Sequence, residues 1–420
     1  MIFHLNRSQC VSWKAGTIIA FLFAWIMIAP AGSAQAAAGD GASAKTFEAL
    51  NRSGLDHYYS LEYDEAILDF RKAADLYPRD PQVWNHLLEA LLFHELYKHD
   101  ALDTSLYTHR TFLNTKQVPA DAATKKQIRD LTEKALALED KLLKADPADV
   151  KALYYRGVTK GLRSTYMALI EHQWYAAVRA SLSARNDHEQ VLKLDPTFID
   201  AKTIVGIHNF VVGSLPFPVK IAIGITGVHG DRDKGVRYLK EVAKSDGESS
   251  ADARVALSLF LRREAHYQDA IEVVHTLVQD HPRNFLFALE EANLTKDAGK
   301  GTVAVTALRK LLEDCKAGKY PRPHVELVEF GLAEALRGQG RFEEAVAPYE
   351  SAGYSNSINT ELRQRSLVAA GEVLDILDRR EEALKQYQAA LALDPSTEVA
   401  ETAKKRINKP YKAREGTVAG

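Results

Sequence analysis

Two segments far apart in the chain share one spacing: YDEAILDFRKAADLYPRDP from Tyr63 and REEALKQYQAALALDPSTE from Arg380. Ala66, Phe70, Ala73 and Pro78 fall at offsets of 4, 3 and 5 in the first, and Ala383, Tyr387, Ala390 and Pro395 repeat those offsets in the second. Gly54 stands twelve residues before Ala66, and Gly371 twelve before Ala383. Offsets of 4 and 3 keep the three side chains on one helical face, and a proline five residues past the last of them ends the helix. A small residue one helix earlier lets an antiparallel neighbour come close. Gly54 is therefore expected to face Ala66, and Gly371 to face Ala383, with the aromatic filling the wider gap. One such hairpin cannot bury its own apolar face, so successive hairpins must stack.

This pattern resembles the tetratricopeptide repeat. The resemblance implies an all-α, right-handed α-solenoid of about seven or eight hairpins. Looser copies fill the middle: Asp146-Pro147, Asp195-Pro196 and His281-Pro282 read as helix stops, and Gly299-Lys300-Gly301 reads as a tight turn. Ala345, Tyr349 and Ala352 follow the helix GLAEALRGQGRFEE. Pro147 and Pro196 are further apart than one ~34-residue repeat, so helices between Asp149 and Leu194 are expected to be extended. TEVAETAKKRI, from Thr397, reads as a terminal cap. No set of alternating segments with hairpin turns argues for a sheet.

The first residues read as an export signal. Arg7 and Lys14 precede an apolar core, IIAFLFAWIMIA, which Pro30 breaks before the small-residue site Ala34-x-Ala36. The core is short against the ~20 residues that span a bilayer. Residues 1–36 are thus assigned as signal peptide, 37–46 as a flexible linker, 47–408 as the repeat array and 409–420 as a disordered tail. The expected location is the bacterial periplasm or the periplasmic face of the envelope, with an uncleaved N-terminal anchor as the alternative. Cys10 lies in the removable segment, so Cys315 would be alone, a structural residue with no disulfide partner.

The array is interrupted by GIHNFVVGSLPFPVKIAIGITGVHGDRDKG, residues 206–235. Pro216, Pro218 and Lys220 argue against a membrane helix. A phosphate loop would need a preceding strand and a Gly-Lys-Ser/Thr ending, and neither is present. The remaining reading is a helix to Ser214, a proline turn, a short apolar helix to Val228, and a new helix from Arg232 capped by Gly230-Asp231. Gly206, Asn209, Phe210, Ser214, Leu215, Pro216, Gly227, Gly230, Asp231 and Arg232 together resemble the signature of an outer-membrane-associated tetratricopeptide family. That family includes the fungal inclusion-body clearance protein and its animal relatives. The resemblance spans about Leu153 to Lys310 and implies a repeat scaffold without a known catalytic centre.

Signals for chemistry are weak. His94 and His99 flank Glu95 at a spacing of five, which turns the rings apart on a helix, and His86 shares a face with His94 but has no third ligand. Glu343-Glu344 and Glu381-Glu382 open second helices, where acids meet the positive end of the helix dipole. The formal net charge of −2 leaves no basic surplus for nucleic acid. No catalytic residue, cofactor or metal is predicted. Function is expected in binding, with Asn51, Tyr58, Glu334, Arg337, Glu372 and Asp375 on inner-helix positions facing a protein or peptide partner. The alternative is an envelope lipid or other apolar ligand held through residues 206–228, with peripheral membrane contact.

Overall fold

A computed structural model of the chain describes residues 41–103, 117–214, 227 and 229–412. Among them are seventeen α-helices and no strand. The signal segment 1–36, the middle of the apolar stretch and the tail beyond residue 412 lie outside the described residues. The first helix begins at Gly41, inside the stretch assigned to the linker.

Two compact units are present. The first runs to Glu264, excluding residues 98–100, and the second comprises those three residues and everything from Ala265. The first unit contains α1 (Gly41–Tyr59), α2 (Tyr63–Leu76), α3 (Pro81–Lys98, whose last residue falls in the second), α4 (Ala122–Ala145), α5 (Val150–Leu169), α6 (Trp174–Leu194), α7 (Ala201–Ser214), α8 (Arg232–Ala243) and α9 (Ser250–Arg263). The second contains α10 (Tyr267–Asp280), α11 (Phe285–Asp297), α12 (Gly301–Lys316), α13 (Val325–Gly338), α14 (Phe342–Gly353), α15 (Thr360–Ile376), α16 (Arg380–Leu393) and α17 (Glu398–Asn408). Chain neighbours pack on each other in both units, as short connections require.

The helices stop where local chemistry stops them. Pro78, Pro147, Pro196, Pro282 and Pro395 each stand two residues beyond the end of α2, α4, α6, α10 and α16. A proline disfavours helical backbone in the residue before it, so the helix cannot continue. The turn within a hairpin has its own rule. Leu61, His172, Gly299, Gly340 and Asp378 all take positive φ, and each lies two residues before an even-numbered helix. One left-handed residue reverses the chain in the same way at each of these five hairpins, whether or not glycine supplies it. His172 accordingly splits the Asp149–Leu194 run into α5 and α6, which are long at 20 and 21 residues.

The hairpin interior differs from expectation in one respect. A Cβ on Gly54 would stand 2.7 Å from Phe70 Cζ, and one on Gly371 would stand 2.7 Å from Tyr387 Cζ. Each glycine thus makes room for the aromatic ring, rather than for Ala66 or Ala383. The ring is the widest object at the crossing, so it takes the place where the facing helix has no side chain. Ala66, Ala73, Ala383 and Ala390 are buried beside these rings.

The ends of the apolar stretch form a second close crossing. A Cβ on Gly206 would stand 3.1 Å from the Gly235 carbonyl oxygen, and one on Gly235 would stand 2.6 Å from the Phe210 amide nitrogen. Asn209 Oδ1 accepts from the Asp231 amide at 3.2 Å, and Asp231 caps α8 through the Lys234 amide at 2.9 Å. The Gly-Asn-Phe and Gly-Asp-Arg elements are thus packing and capping groups of α7 and α8. No helix of the described residues is long and apolar enough to cross a membrane.

Candidate functional site

Contacts between alternate helices identify the inner layer of each unit. α7 touches α9 in the first, while α11 touches α13, α13 touches α15 and α15 touches α17 in the second. In the second unit α11, α13, α15 and α17 therefore form a layer of their own, and α7 and α9 do the same in the first.

In the second unit Glu334 and Arg337 come from α13, and Glu372 and Asp375 from α15. Arg337 donates to Glu372 Oε2 at 2.8 Å, and Arg406 of α17 donates to Glu372 Oε1 at 2.9 Å. The Tyr349 hydroxyl donates to Glu334. Asp375 is a junction, accepting from Arg380 Nη1 at 2.9 Å and from the Tyr387 hydroxyl at 2.8 Å. The two hairpin tyrosines thus reach through the helix pair and hold acids of the inner face. Burial, with Asp375 behind it, raises the Tyr387 hydroxyl pKa, so that hydroxyl remains a donor. Burial of Arg337 alone would lower its pKa, but Tyr349 and Glu372 outweigh it and the net shift is upward, so the guanidinium stays charged. All four predicted residues share one polar strip.

That strip has an occupant. Arg380 Nη2 donates to the carbonyls of Arg406 and Ile407 at 2.8 and 2.6 Å, closing the end of α17. The chain then runs extended from Lys409, and the Tyr411 amide donates to Asp375 Oδ2 at 2.8 Å. Arg406 and Arg337 sit over the Tyr411 ring, 4.6 and 5.5 Å from its centroid. Residues assigned to a disordered tail are thus fixed as far as Tyr411. Arg380, Arg406 and Tyr411 are the site residues that sequence reasoning missed. The only signal was one aromatic in a basic, proline-containing segment.

The remaining two predicted residues lie in the first unit and do not form an open groove. Tyr58 is 4% exposed, packed edge-on by Tyr59, Tyr63 and Phe93, with its hydroxyl on Glu89 Oε1 at 3.3 Å. It is a core residue, because the aromatic cluster around it excludes solvent. Asn51 donates to Glu248 Oε1 at 3.0 Å, and Tyr59 donates to Asp252 at 3.1 Å, so the inner face of α1 meets the start of α9. His86 Nε2 and Glu248 Oε2 are buried 3.8 Å apart without hydrogen-bond partners. Burial lowers His86 to about 3, and burial with the Asp200 charge raises Glu248 to about 9, so both are neutral near pH 7.

The histidines weighed as ligands have other surroundings. His86 packs on Phe70, and His94 stacks on Tyr63. Asp100, His324 and Glu326 are the one group of described residues close enough to share a metal ion. However, Asp100 already accepts from His324 Nδ1 and from Asn359 Nδ2, the latter at 3.0 Å, which suits a structural junction. Cys315 is buried and its thiol is pushed up to about 11, away from the reactive thiolate. A cavity of about 550 Å³ in the first unit lies at the α2–α3 turn beside Asp149 and Lys151. Asp80 and Asp149 there cap α3 and α5.

A tetratricopeptide repeat family model matches residues 364–397, most of α15 with all of α16. That segment thus matches one tetratricopeptide repeat, and further helical hairpins precede it in the chain. Solved structures to which it is similar include a tetratricopeptide repeat protein from Parabacteroides merdae, at 14% identity over 77% of this chain and 99% of that one, with a TM-score of 0.33. Yeast Tom70 is 14% identical over 93% of this chain and 72% of its own, with a TM-score of 0.40. Human IFIT1, solved with m7Gppp-AAAA, is 13% identical over 89% and 86%, with a TM-score of 0.43. No curated protein matches the sequence.

Proposed function

We propose that this protein is an exported, non-catalytic scaffold that binds another protein, or a segment of one, along the inner layer of its helical repeats. The observation that carries this reading is the strip formed by Glu334, Arg337, Glu372 and Asp375. Four charged residues from two successive inner helices are held in place by buried tyrosines and arginines. Charged and aromatic groups fixed in advance on a concave face lose little entropy when a ligand docks. An extended or helical segment is the shape such a face accepts.

Export follows from the signal-like residues 1–36, with the periplasmic face of the envelope as the proposed site of action. Kinship with the outer-membrane-associated tetratricopeptide family is part of the same proposal and rests on the Gly206–Arg232 signature. The test is a photo-cross-linkable side chain placed at Glu334 in cells that make the protein. A discrete adduct with one envelope protein is expected, together with a mature chain starting after Ala36. A chain that stays in the cytoplasm, or one that forms no adduct, overturns the reading.

A further inference from the structure

We infer that the strip of the second unit is a site for an extended peptide bearing an aromatic side chain, and that the chain's own Lys409–Lys412 segment is its resident, displaceable ligand. The inference rests on the scaffold reading above and specifies the ligand for this part of it.

Three features of the Tyr411 contact are those of peptide recognition rather than of a packed core. First, the segment is extended, with Lys409 at φ −142° and ψ 117°, and it offers a main-chain amide to a carboxylate. A main-chain contact is available to any peptide, so it confers affinity without restricting sequence. Second, specificity resides in one side chain: the Tyr411 ring meets the guanidiniums of Arg337 and Arg406. Cation–π attraction of this kind needs a ring and no particular hydroxyl. Third, the protein half of the site is built without the segment. Arg337 and Arg406 are both fixed by Glu372, and Asp375 by Arg380 and Tyr387. Tyr411 itself is only half-buried, and Lys409, Pro410 and Lys412 around it are exposed. Removing the segment would therefore leave the carboxylate and both guanidiniums in position, facing solvent.

A tethered ligand competes at an effective concentration of the order of millimolar. Weak external peptides are thus excluded, while a longer partner that adds contacts along the inner layer displaces the tail.

The experiment uses the full chain and a fluorescein-labelled pentapeptide, Asn-Lys-Pro-Tyr-Lys, corresponding to residues 408–412, read by fluorescence anisotropy. The Tyr411→Ala chain should bind the pentapeptide at least about tenfold more tightly than the wild-type chain, because the internal competitor is gone. The Tyr411→Phe chain should behave as wild type. Adding Arg337→Ala to Tyr411→Ala should abolish binding, and a pentapeptide with alanine for tyrosine should not bind. Thermal melting checks that each variant is folded. Equal affinity of the wild-type and Tyr411→Ala chains overturns the inference, as does equal binding of the alanine pentapeptide. If that happens while Glu334 still cross-links an envelope protein, the tail is a structural brace and the scaffold reading stands. Binding of the pentapeptide with no adduct in cells supports the tail site and removes the scaffold reading.

Discussion

Phe70 lies so close to Gly54 that a methyl group on the glycine would stand 2.7 Å from the ring's Cζ, and Tyr387 stands in the same relation to Gly371. The two contacts are over three hundred residues apart and serve the same purpose. In each, a ring on the second helix of a hairpin occupies the space left by a missing side chain on the first.

Alanine is normally the better residue inside a helix, by roughly 0.5–1 kcal/mol over glycine. At these two positions the order should reverse. Gly54→Ala and Gly371→Ala are expected to destabilise by about 1–3 kcal/mol, the cost of overpacking a filled core. Urea unfolding measures this directly, and a stabilised variant would show that the ring moves aside freely. Ala383→Leu, buried next to the Tyr387 ring, should cost a similar amount.

Tyr387 also supplies a hydroxyl to Asp375 at 2.8 Å. Tyr387→Phe keeps the ring against Gly371 and removes one hydrogen bond from a buried carboxylate. A loss of about 1–3 kcal/mol is expected. If the tail site is as described, the Tyr411 amide should also exchange faster with solvent in this variant, because Asp375 loses one of its anchors. Unchanged exchange would separate the hairpin from the groove.

The turn at Asp378 has φ 58°, and the side chain is exposed. Left-handed backbone costs a residue with a Cβ roughly 1–2 kcal/mol, least for Asp and Asn and most for β-branched side chains. Asp378→Gly should therefore be at least as stable as wild type, and Asp378→Val less stable by about 1 kcal/mol. A stable valine variant would contradict the shared turn geometry.

The first unit should be most stable in mildly acidic solution. Burial lowers His86 to about 3 and His188 to about 4, against about 6.5 in the unfolded chain. The unfolded state binds more protons in that window, so these two histidines weaken the fold as pH drops from about 6.5 towards 3. Burial raises Glu139 to about 7 and Glu248 to about 9. These carboxyls hold a proton in the fold but ionise near 4.5 when it opens, so their contribution shrinks as pH rises from about 4.5 and is gone above about 7 for Glu139 and about 9 for Glu248. Trp84 and Trp174, the described tryptophans, both lie in the first unit and report its unfolding. The urea midpoint followed by their fluorescence should peak between about pH 4.5 and 6.5. Glu248→Gln should flatten the alkaline side and leave the acid side unchanged. A midpoint that rises steadily to pH 8 in both proteins would refute this assignment.

Part of this architecture was legible in the residues because it is local. Proline stops two residues past the helix ends, Asp231 at the start of α8, Thr397 at the start of α17, and the acid pairs opening α14 and α16 all act within one or two turns of where they stand. Chemistry over so short a range is decided by backbone sterics and unpaired amides, which spacing alone reveals. Repeat register likewise put Glu334 and Arg337 on one helix and Glu372 and Asp375 at the corresponding positions of a later one, where Arg337 donates to Glu372.

What lay beyond the sequence depends on sums over many interfaces. Asn51 meets Glu248 across 197 positions, and Tyr58 is sealed among rings from two other helices. Neither contact leaves a mark in a 34-residue period, because each depends on the small rotations between successive hairpins. Tyr411 reaches Asp375 only once α13, α15 and α17 stand side by side. The sequence by itself determined the helical hairpins and the proline stops that end them. The tertiary structure alone decided which inward residues are core, which remain on the polar strip, and that the strip holds the chain's own Tyr411 segment.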